Sequence, residues 1–583
     1  MSSKPPVAER RPAAFTAHGV TVQDDYAWLK DENWQEVLRD PSILKPDIRQ
    51  YLEAENTYAD SVLAGTAALQ KTLVAEMRGR IKEDDSSVPI NDGPYAYLRK
   101  FREGGQHEIF GRTARQSNAD TPGDAHIILD GDLLAKGETY FKFGGSRHSP
   151  DHALQAWSAD LNGSEYFTIR VRTWADGRDL ADLVEQTDGG MVWSLDSRAF
   201  YYVKLDDNHR PTQVWRHVLG TAQADDTLIY EEKDAGWITH IHESESGRFC
   251  IITGGDHETA EQRLLDLAEP NATPRLVAAR EDGVQYDVAD RGDELFILTN
   301  ADGAIDFKIV TAPLAAPERA SWRDLIPHKE GVYILDHGLT INHLIRLERA
   351  NALPSIVIRD LGDGSEHAIA FDEAAYSLDT MGGYEFDTTN LRFAYSSMTT
   401  PSEVYDYDMA TRQRVLRKRQ QIPSGHNPAD YVTTRIMATA DDGALVPVSI
   451  LHRKDLTRDG SAPLLLYGYG SYGMAMPASF SANRLSLVDR GFVYAIAHIR
   501  GGSDKGWGWY LDGKREKKTN SFDDFAASAR ALIAEKYTSA KKIVGHGGSA
   551  GGMLMGAVAN RSGELYAGLV AEVPFVDVVN TMR

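Results

Sequence analysis

The chain has 583 residues, of which 42% are hydrophobic and 25% are charged, and its formal net charge is −22. It is too long for one ordinary core, so two or more domains are expected. The acidic balance argues against partners that favour basic surfaces, namely nucleic acid and anionic membranes. No run approaches 18 consecutive apolar residues, and the N-terminus lacks the apolar stretch of a signal peptide, so we expect a cytoplasmic protein that does not span a membrane.

The sequence contains a single cysteine, Cys250, which excludes an intramolecular disulfide and indicates a reducing compartment. Cys250 lies in the strand-like run 248–252, where a buried packing thiol is expected rather than a nucleophile.

Residues 1–80 are predicted to form an N-terminal helical segment. Apolar residues recur at helical spacing from Pro46 to Glu55, and a second helical run follows through Leu69, Leu73 and Met77. This segment is interpreted as structural rather than as a site.

Residues 81–428 form short β-like runs separated by polar turns rich in glycine and aspartate. A polar turn that leads into an alternating or aromatic strand recurs at 148–158, 193–203, 243–252 and 387–395. The spacing is roughly 45–50 residues between the first three instances, which is typical of a β-propeller. An array of β-sandwiches also fits these weak repeats.

Residues 429–583 alternate between strands and helices. Strands are predicted at 446–451, 463–467, 492–497 and 542–544, and a helix from 521 to about 536 with Ser521 and Asp524 as its N-terminal cap. Buried strands between amphipathic helices predict a doubly wound, mainly parallel α/β sheet.

The segment Gly547-Gly548-Ser549-Ala550-Gly551 matches the pattern G-x-S-x-G. It follows an apolar strand and precedes a helix-compatible run at 553–559, which is the context of a nucleophile elbow. In that interpretation Ser549 projects its hydroxyl above the sheet and the Ala550 N–H points at a developing oxyanion. The alternative is a glycine turn that binds a phosphate or closes a βα unit.

Several further blocks resemble the catalytic domain of the prolyl oligopeptidase family, and within it the oligopeptidase B branch. They lie at 466–473, 484–494, 498–502, 520–525 and 573–578, and two upstream blocks lie at 25–29 and 395–401. The resemblance therefore extends over nearly the whole chain.

The resemblance implies a seven-bladed propeller that caps an α/β-hydrolase domain, with the N-terminal helices packed on the catalytic domain. It implies a serine peptidase that cleaves short, basic peptides after Arg or Lys through an acyl-enzyme on Ser549. Tyr469 matches the family tyrosine whose hydroxyl joins the Ala550 N–H in the oxyanion hole. Tyr472 matches an aromatic residue of the primary specificity pocket. No cofactor or metal is expected, because neither a histidine cluster with ligand spacing nor a phosphate-binding loop is apparent.

The sequence departs from the family pattern after Ser549. In an α/β-hydrolase the chain order is serine, acid, histidine, but only Glu564, Glu572 and Asp577 follow as acids, and no histidine follows. The family's aspartate, histidine and specificity glutamates would lie beyond Arg583. We therefore expect a chain that is truncated at its C-terminus and has little or no peptidase activity as it stands.

Other features keep alternatives open. His546 lies on the turn that enters the motif and is a poor candidate for the base. Pro477 and Ser479 occupy positions where the branch has an acidic pair, which argues against a preference for two basic residues. A non-catalytic propeller protein that binds peptides through a remnant hydrolase domain remains an alternative, as does an esterase or lipase on the same sheet.

Overall fold

The computed structural model describes residues 4–115 and 125–581. The N-terminal part begins with an antiparallel hairpin and continues with three helices, β1 (Ala14–Ala17), β2 (Val20–Gln23), α1 (Trp34–Arg39), α2 (Pro46–Leu63) and α3 (Ala67–Gly79). Proline at the first position of α2 suits a helix start, because its missing N–H has no intrahelical acceptor there. Ile48 is the only buried residue of α2, and α3 has none.

The next segment forms antiparallel sheets. The first is β3 (Ile90–Asp92), β4 (Tyr95–Lys100), β5 (Ile109–Ala114) and β6 (His126–Asp130), followed by the short α4 (Gly131–Leu134). The second is a seven-stranded sheet of β7 (Lys142–His148), β8 (Leu154–Asp160), β9 (Phe167–Thr173), β10 (Asp179–Trp193), β11 (Ala199–Leu205), β12 (Pro211–Val218) and β13 (Thr227–Glu231).

Four more four-stranded sheets follow in chain order. They are β14 (Ile238–Glu243), β15 (Phe249–Gly255), β16 (Ala260–Asp266) and β17 (Arg275–Leu276); β18 (Tyr286–Arg291), β19 (Glu294–Thr299), β20 (Lys308–Pro313) and β21 (Arg323–Ile326); β22 (Val332–Leu339), β23 (His343–Ala350), β24 (Leu353–Asp360) and β25 (Glu366–Ala368); and β26 (Tyr376–Met381), β27 (Asn390–Ser397), β28 (Glu403–Asp408) and β29 (Arg414–Arg419).

The prediction of seven blades is wrong. The described residues form five separate four-stranded blades, and the remaining strands join in one seven-stranded sheet. The physical reason is the 15-residue strand β10, which pairs with β9 along its first part and with β11 along its second. The pairing register shifts between Thr187 and Met191, so this strand bends but does not break.

The first strands of the five four-stranded blades face a common cavity of about 720 Å³. Residues from β3, β14, β18, β22 and β26 all line it, as expected for the central channel of a propeller. Cys250 of β15 is fully buried, in agreement with its predicted packing role.

The last part is one mixed sheet covered by helices. Its elements are β30 (Tyr431–Thr439), β31 (Leu445–Arg453), β32 (Leu464–Tyr467), α5 (Leu485–Val488), β33 (Val493–Ala497), α6 (Trp507–Leu511), α7 (Thr519–Ala534), β34 (Ile543–Gly548), α8 (Ala550–Ser562), β35 (Tyr566–Glu572) and α9 (Val578–Thr581). The strand order is β30-β31-β33-β32-β34-β35, in which the last four strands are parallel to one another.

The core of this sheet explains the helical faces. Phe525, Ala529 and Leu532 of α7 are fully buried against the strands, which accounts for the apolar spacing in the sequence. The predicted cap is wrong, however, because α7 begins at Thr519 and Ser521 lies inside it. The Ser521 hydroxyl donates to the Arg500 carbonyl at 2.7 Å, and the Asp524 carboxylate binds the Arg500 guanidinium at 2.6 Å.

Polar contacts join the three parts of the chain. The Glu76 carboxylate of α3 binds Arg490 at 2.6 Å. From the propeller, Glu258 pairs with Lys514, and Asp306 accepts the Trp507 N–H at 2.7 Å. Every helix within the described ranges is too short or too polar to span a membrane.

Candidate active site

Ser549 occupies a sharp turn between β34 and α8. Its backbone angles are φ 55° and ψ −115°, a region that residues with a side chain rarely adopt. The turn is closed by hydrogen bonds from the Ser549 N–H to the Glu572 carbonyl at 2.8 Å and from the Phe575 N–H to the Ser549 carbonyl at 3.0 Å. Ser549 itself is solvent-exposed, so the strained turn presents its hydroxyl at the carboxyl end of β34.

Neighbouring glycines make this turn sterically feasible. A Cβ on Gly547 would lie 2.3 Å from the Gly551 carbonyl oxygen, and one on Gly551 would lie 2.8 Å from the Gly468 carbonyl oxygen. A Cβ on Gly552 would approach Pro574 to 2.6 Å. The backbones of the elbow, the end of β32 and the segment after β35 therefore pack directly on one another.

Tyr469 comes from the loop after β32 and meets Ser549. Burial raises the pKa of the Tyr469 phenol, Tyr472 raises it further, and the neighbouring Ser549 side chain opposes that rise. A raised pKa keeps the phenol protonated at neutral pH, so it is available as a hydrogen-bond donor.

Ala550 is the first residue of α8 and is buried. Its N–H has no intrahelical acceptor, because the first four N–H groups of a helix lack one. The structure therefore brings three of the predicted site residues together: Ser549, Tyr469 and Ala550.

Tyr472 lies on the same loop but is 48% exposed, with φ 58°. Its ring lies 5.3 Å from the ring of His257, which belongs to the propeller. Tyr472 thus stands where the propeller faces the catalytic sheet, close to Tyr469.

Other groups near the elbow are engaged elsewhere. His546 Nε2 lies 3.1 Å from the Glu572 carboxylate, and its ring packs against Tyr467. Asp577 accepts from the Asn580 side chain at 3.0 Å. Within residues 4–115 and 125–581, no histidine ring is hydrogen-bonded to the Ser549 hydroxyl.

One group of side chains has the composition of a metal site. Asp92, His148 and His152 place ligand atoms within 4.8 Å of one another on the first two sheets of the propeller. His148 is already hydrogen-bonded to Asp92 at 2.7 Å and His152 to Tyr97 at 2.8 Å. The sequence alone did not predict this group, although His148 and His152 lie four residues apart in it.

The sequence also did not predict the contact of Lys518 with the loop that carries Tyr469. The Lys518 ammonium group donates a hydrogen bond to Ser471 Oγ at 2.7 Å. Lys518 lies thirty-one residues before Ser549 in the chain, in a polar run that looks like an ordinary exposed surface segment.

Comparison with known proteins agrees with this geometry. The family model described as "Prolyl oligopeptidase, N-terminal beta-propeller domain" matches residues 5–420, and the one described as "Prolyl oligopeptidase family" matches residues 478–583. Dipeptidyl aminopeptidase BI of Pseudoxanthomonas mexicana is 38% identical over 100% of this chain and 81% of its own length. Protease 2 of Moraxella lacunata is 33% identical over 99% of this chain and 82% of its own length.

The solved structure of oligopeptidase B from Leishmania major superposes with a TM-score of 0.92 at 33% identity, covering 99% of this chain and 83% of that one. The resemblance predicted from the sequence is therefore confirmed. A family model over more than half of the chain, together with relatives above 30% identity along nearly all of it, shows that the chain belongs to the prolyl oligopeptidase family of serine peptidases.

Proposed function

We propose that Ser549 is the nucleophile of this peptidase and that the Tyr469 hydroxyl and the Ala550 N–H are its oxyanion donors. The observation that carries the proposal is the exposed hydroxyl on a strained elbow with the Tyr469 hydroxyl beside it. Attack by Ser549 Oγ on a peptide carbonyl would form a tetrahedral intermediate whose negative oxygen lies between the two donors. Collapse of that intermediate releases the amine and leaves an acyl-enzyme, which water then hydrolyses.

We further propose that the substrates are short peptides cleaved after Arg or Lys. Support comes from the likeness to oligopeptidase B and from the acidic channel of the propeller. Glu245, Asp287 and Asp336 line this channel, and the arginines that also line it, Arg115, Arg392 and Arg417, are paired with Glu385 and Asp406. Carboxylates in a partly enclosed channel favour the passage of cationic peptides over anionic ones.

The polypeptide of residues 1–583 should have little activity alone. An unactivated serine hydroxyl is a weak nucleophile, and a histidine base supplies much of the acceleration in serine peptidases. The sequence holds no histidine after Ser549, and His546 is bonded to Glu572.

Chemical rescue tests the assignment of Ser549. We expect a fluorophosphonate probe to label Ser549 slowly and free imidazole to accelerate the labelling, because imidazole can act as the external base. Mass spectrometry locates the adduct. S549A should abolish it, and Y469F should slow it by about 100-fold, the usual effect of removing one oxyanion donor. Labelling with imidazole that does not exceed that of S549A would favour the non-catalytic, peptide-binding alternative.

Substrate class is tested by protection of Ser549 from the same probe. Peptides that end in Arg should protect at about tenfold lower concentration than otherwise identical peptides that end in Ala or Glu, as expected for one added charge interaction. Acetylated and free N-termini are compared in parallel, because one relative is named a dipeptidyl aminopeptidase. Equal protection by all peptides would contradict the Arg/Lys preference.

A further inference from the structure

Lys518 places a cation beneath the loop that carries Tyr469. It precedes α7, and its Nζ donates to the Gly470 carbonyl, to Ser471 Oγ at 2.7 Å and to Ser521 Oγ at 3.5 Å. All three acceptors are neutral. Among the described residues, no carboxylate lies within ion-pair distance of this ammonium group.

The charged groups on the surrounding elements are paired with one another instead. Arg500 binds Asp524 and Asp442, His498 binds Asp504, Lys517 binds Asp512, and Lys514 and Arg515 both bind Glu258. The titratable groups on the loop itself are Tyr469 and Tyr472. Burial without a counter-charge lowers the pKa of Lys518 to about 8.

The loop that Lys518 contacts has a strained and crowded backbone. Gly470, Tyr472 and Gly473 have positive φ of 72°, 58° and 67°. A Cβ on Gly501 would lie 2.0 Å from the Gly470 carbonyl oxygen, so the two loops cross almost in contact. Such a path persists only where neighbouring groups fix it.

Two side chains reach the Gly470–Ser471 part of this path. Ser521 Oγ lies 3.4 Å from the Gly470 carbonyl, but its shorter bond, at 2.7 Å, goes to the Arg500 carbonyl. Lys518 contacts both the carbonyl of Gly470 and the hydroxyl of Ser471. Gly470 directly follows Tyr469, so a change in this anchor moves the phenol that meets Ser549.

We infer that Lys518 is a positioning residue, whose protonated ammonium group holds the Gly470–Ser471 backbone and thereby keeps the Tyr469 hydroxyl at Ser549. The catalytic meaning of this role rests on the proposed function, in which Tyr469 is an oxyanion donor. The ammonium donates three hydrogen bonds, and a neutral amine donates only two. Loss of the proton therefore loosens the loop.

Carbon-13 NMR tests the inference without requiring turnover. Tyrosine labelled with 13C at Cζ is placed at position 469 alone in the full chain, because the pKa of this unmodified phenol is raised and the probe does not itself titrate near pH 8. At pH 7 we expect one narrow resonance, which broadens or shifts with a midpoint near pH 8. In K518M the resonance should be broad or doubled at pH 7 and should lack that midpoint.

Two further variants sharpen the result. K517M removes the neighbouring exposed lysine, which pairs with Asp512, and should leave the resonance unchanged. K518R keeps a permanent charge, so the narrow resonance should persist past pH 9. If thermal melts show that K518R is unfolded, the comparison of wild type, K517M and K518M decides alone.

An unchanged resonance and an unchanged pH midpoint in folded K518M would overturn the inference. Its failure is distinct from failure of the proposed function, because the fluorophosphonate assay follows Ser549 and the NMR experiment follows Tyr469. A resonance that depends on Lys518 in a protein that imidazole cannot rescue would support the positioning role and reject the catalytic one.

Discussion

At the scale of single residues, the elbow requires glycine at several positions, because a Cβ there would overlap the neighbouring backbone. Ser549 can adopt its strained conformation because Gly547, Gly551 and Gly552 leave room for three backbone segments to touch. The sequence predicted the turn and the serine from the motif. The contact of Gly552 with Pro574 could not be predicted, because it joins segments that only the folded sheet brings together.

The first prediction concerns Gly547. G547A should destabilise the protein by about 3 kcal/mol, because its Cβ would overlap the Gly551 carbonyl oxygen. G556A is the matched control, since it lies in α8 with only Val576 at 3.9 Å from the added Cβ. It should be neutral or stabilising by up to about 1 kcal/mol. Urea unfolding measures both, and equal effects of the two substitutions would contradict the steric argument.

The second prediction concerns the pH dependence that Lys518 creates. Its pKa is about 8 in the folded protein, against an ordinary value of 10.5. Between these values the unfolded chain binds the proton and the folded chain does not, so global stability increases as pH rises from 8 to 10.5. The cost of burying the charge is relieved, although the contact of Lys518 with the loop weakens. The full change is about 3 kcal/mol.

K518M lacks this contribution. The free energy of unfolding of wild type minus that of K518M should therefore increase with pH over this range, and the tyrosines that also titrate there cancel in the difference. Urea unfolding at pH 7.5, 9 and 10.5 measures it. A difference that does not change with pH would show that the ammonium group is as well solvated in the folded protein as in the unfolded chain.

At the scale of elements, the sequence predicted most strands and helices of the catalytic sheet but not how their ends are used. The predicted helix 521–536 is α7, Thr519–Ala534. Ser521 and Asp524 resemble a cap in sequence, yet both are buried and bind Arg500. Local pattern alone could not show this, because Arg500 is more than twenty residues away in the chain.

The blades illustrate the same limit. The repeated turn-and-strand phrase indicated a propeller, but it could not show that β10 continues from one sheet unit into the next. The periodicity of the sequence indicates where strands occur. It does not indicate whether two neighbouring sheets are joined by one shared strand. The seven-stranded sheet follows from pairing on both edges of β10, which is a tertiary property.

The third prediction concerns α3, which has no buried residue and depends on polar contacts with the catalytic part. Glu76 binds Arg490, and Arg80 donates to Ser486 Oγ at 2.6 Å. E76Q should accelerate amide hydrogen exchange in α3 several-fold at pH 7. E53Q, on an exposed face of α2, should leave the exchange unchanged.

The stabilisation from the Glu76–Arg490 pair should be lost in acid. The Arg490 hydrogen bond lowers the pKa of Glu76 to about 2 from an ordinary value of 4.5. Because the folded value is the lower one, the contribution of this carboxylate is complete above pH 4.5 and is lost as pH falls towards 2. Exchange in α3 that is insensitive to E76Q would show that other contacts hold this helix.

At the scale of the whole molecule, the propeller and the catalytic sheet meet through polar groups beside the candidate site and through a buried apolar cluster that includes Ala375, Met398, Val488 and Tyr494. Glu258 pairs with Lys514 and Arg515 and accepts from the Tyr510 hydroxyl at 3.3 Å. The next residue before it, His257, faces Tyr472. The ion pairs of Glu258 therefore help to position the propeller next to the loop that carries Tyr472 and Tyr469.

The fourth prediction is that E258Q loosens the contact between the two parts beside the candidate site. The substitution removes the charge that holds Lys514 and Arg515, so small-angle X-ray scattering at low salt should show a larger radius of gyration than for wild type. Wild type should approach the value of E258Q as salt rises, because screening weakens the same partly exposed ion pairs. E281Q, which makes the same charge change at an exposed position of the propeller, serves as the control and should behave like wild type. A radius of gyration that is unaffected by E258Q and by salt would contradict this prediction. It would mean that other contacts, such as the hydrogen bond from the Trp507 N–H to Asp306, fix the arrangement of the two parts. Substrates would then have to reach Ser549 without separation of the two parts.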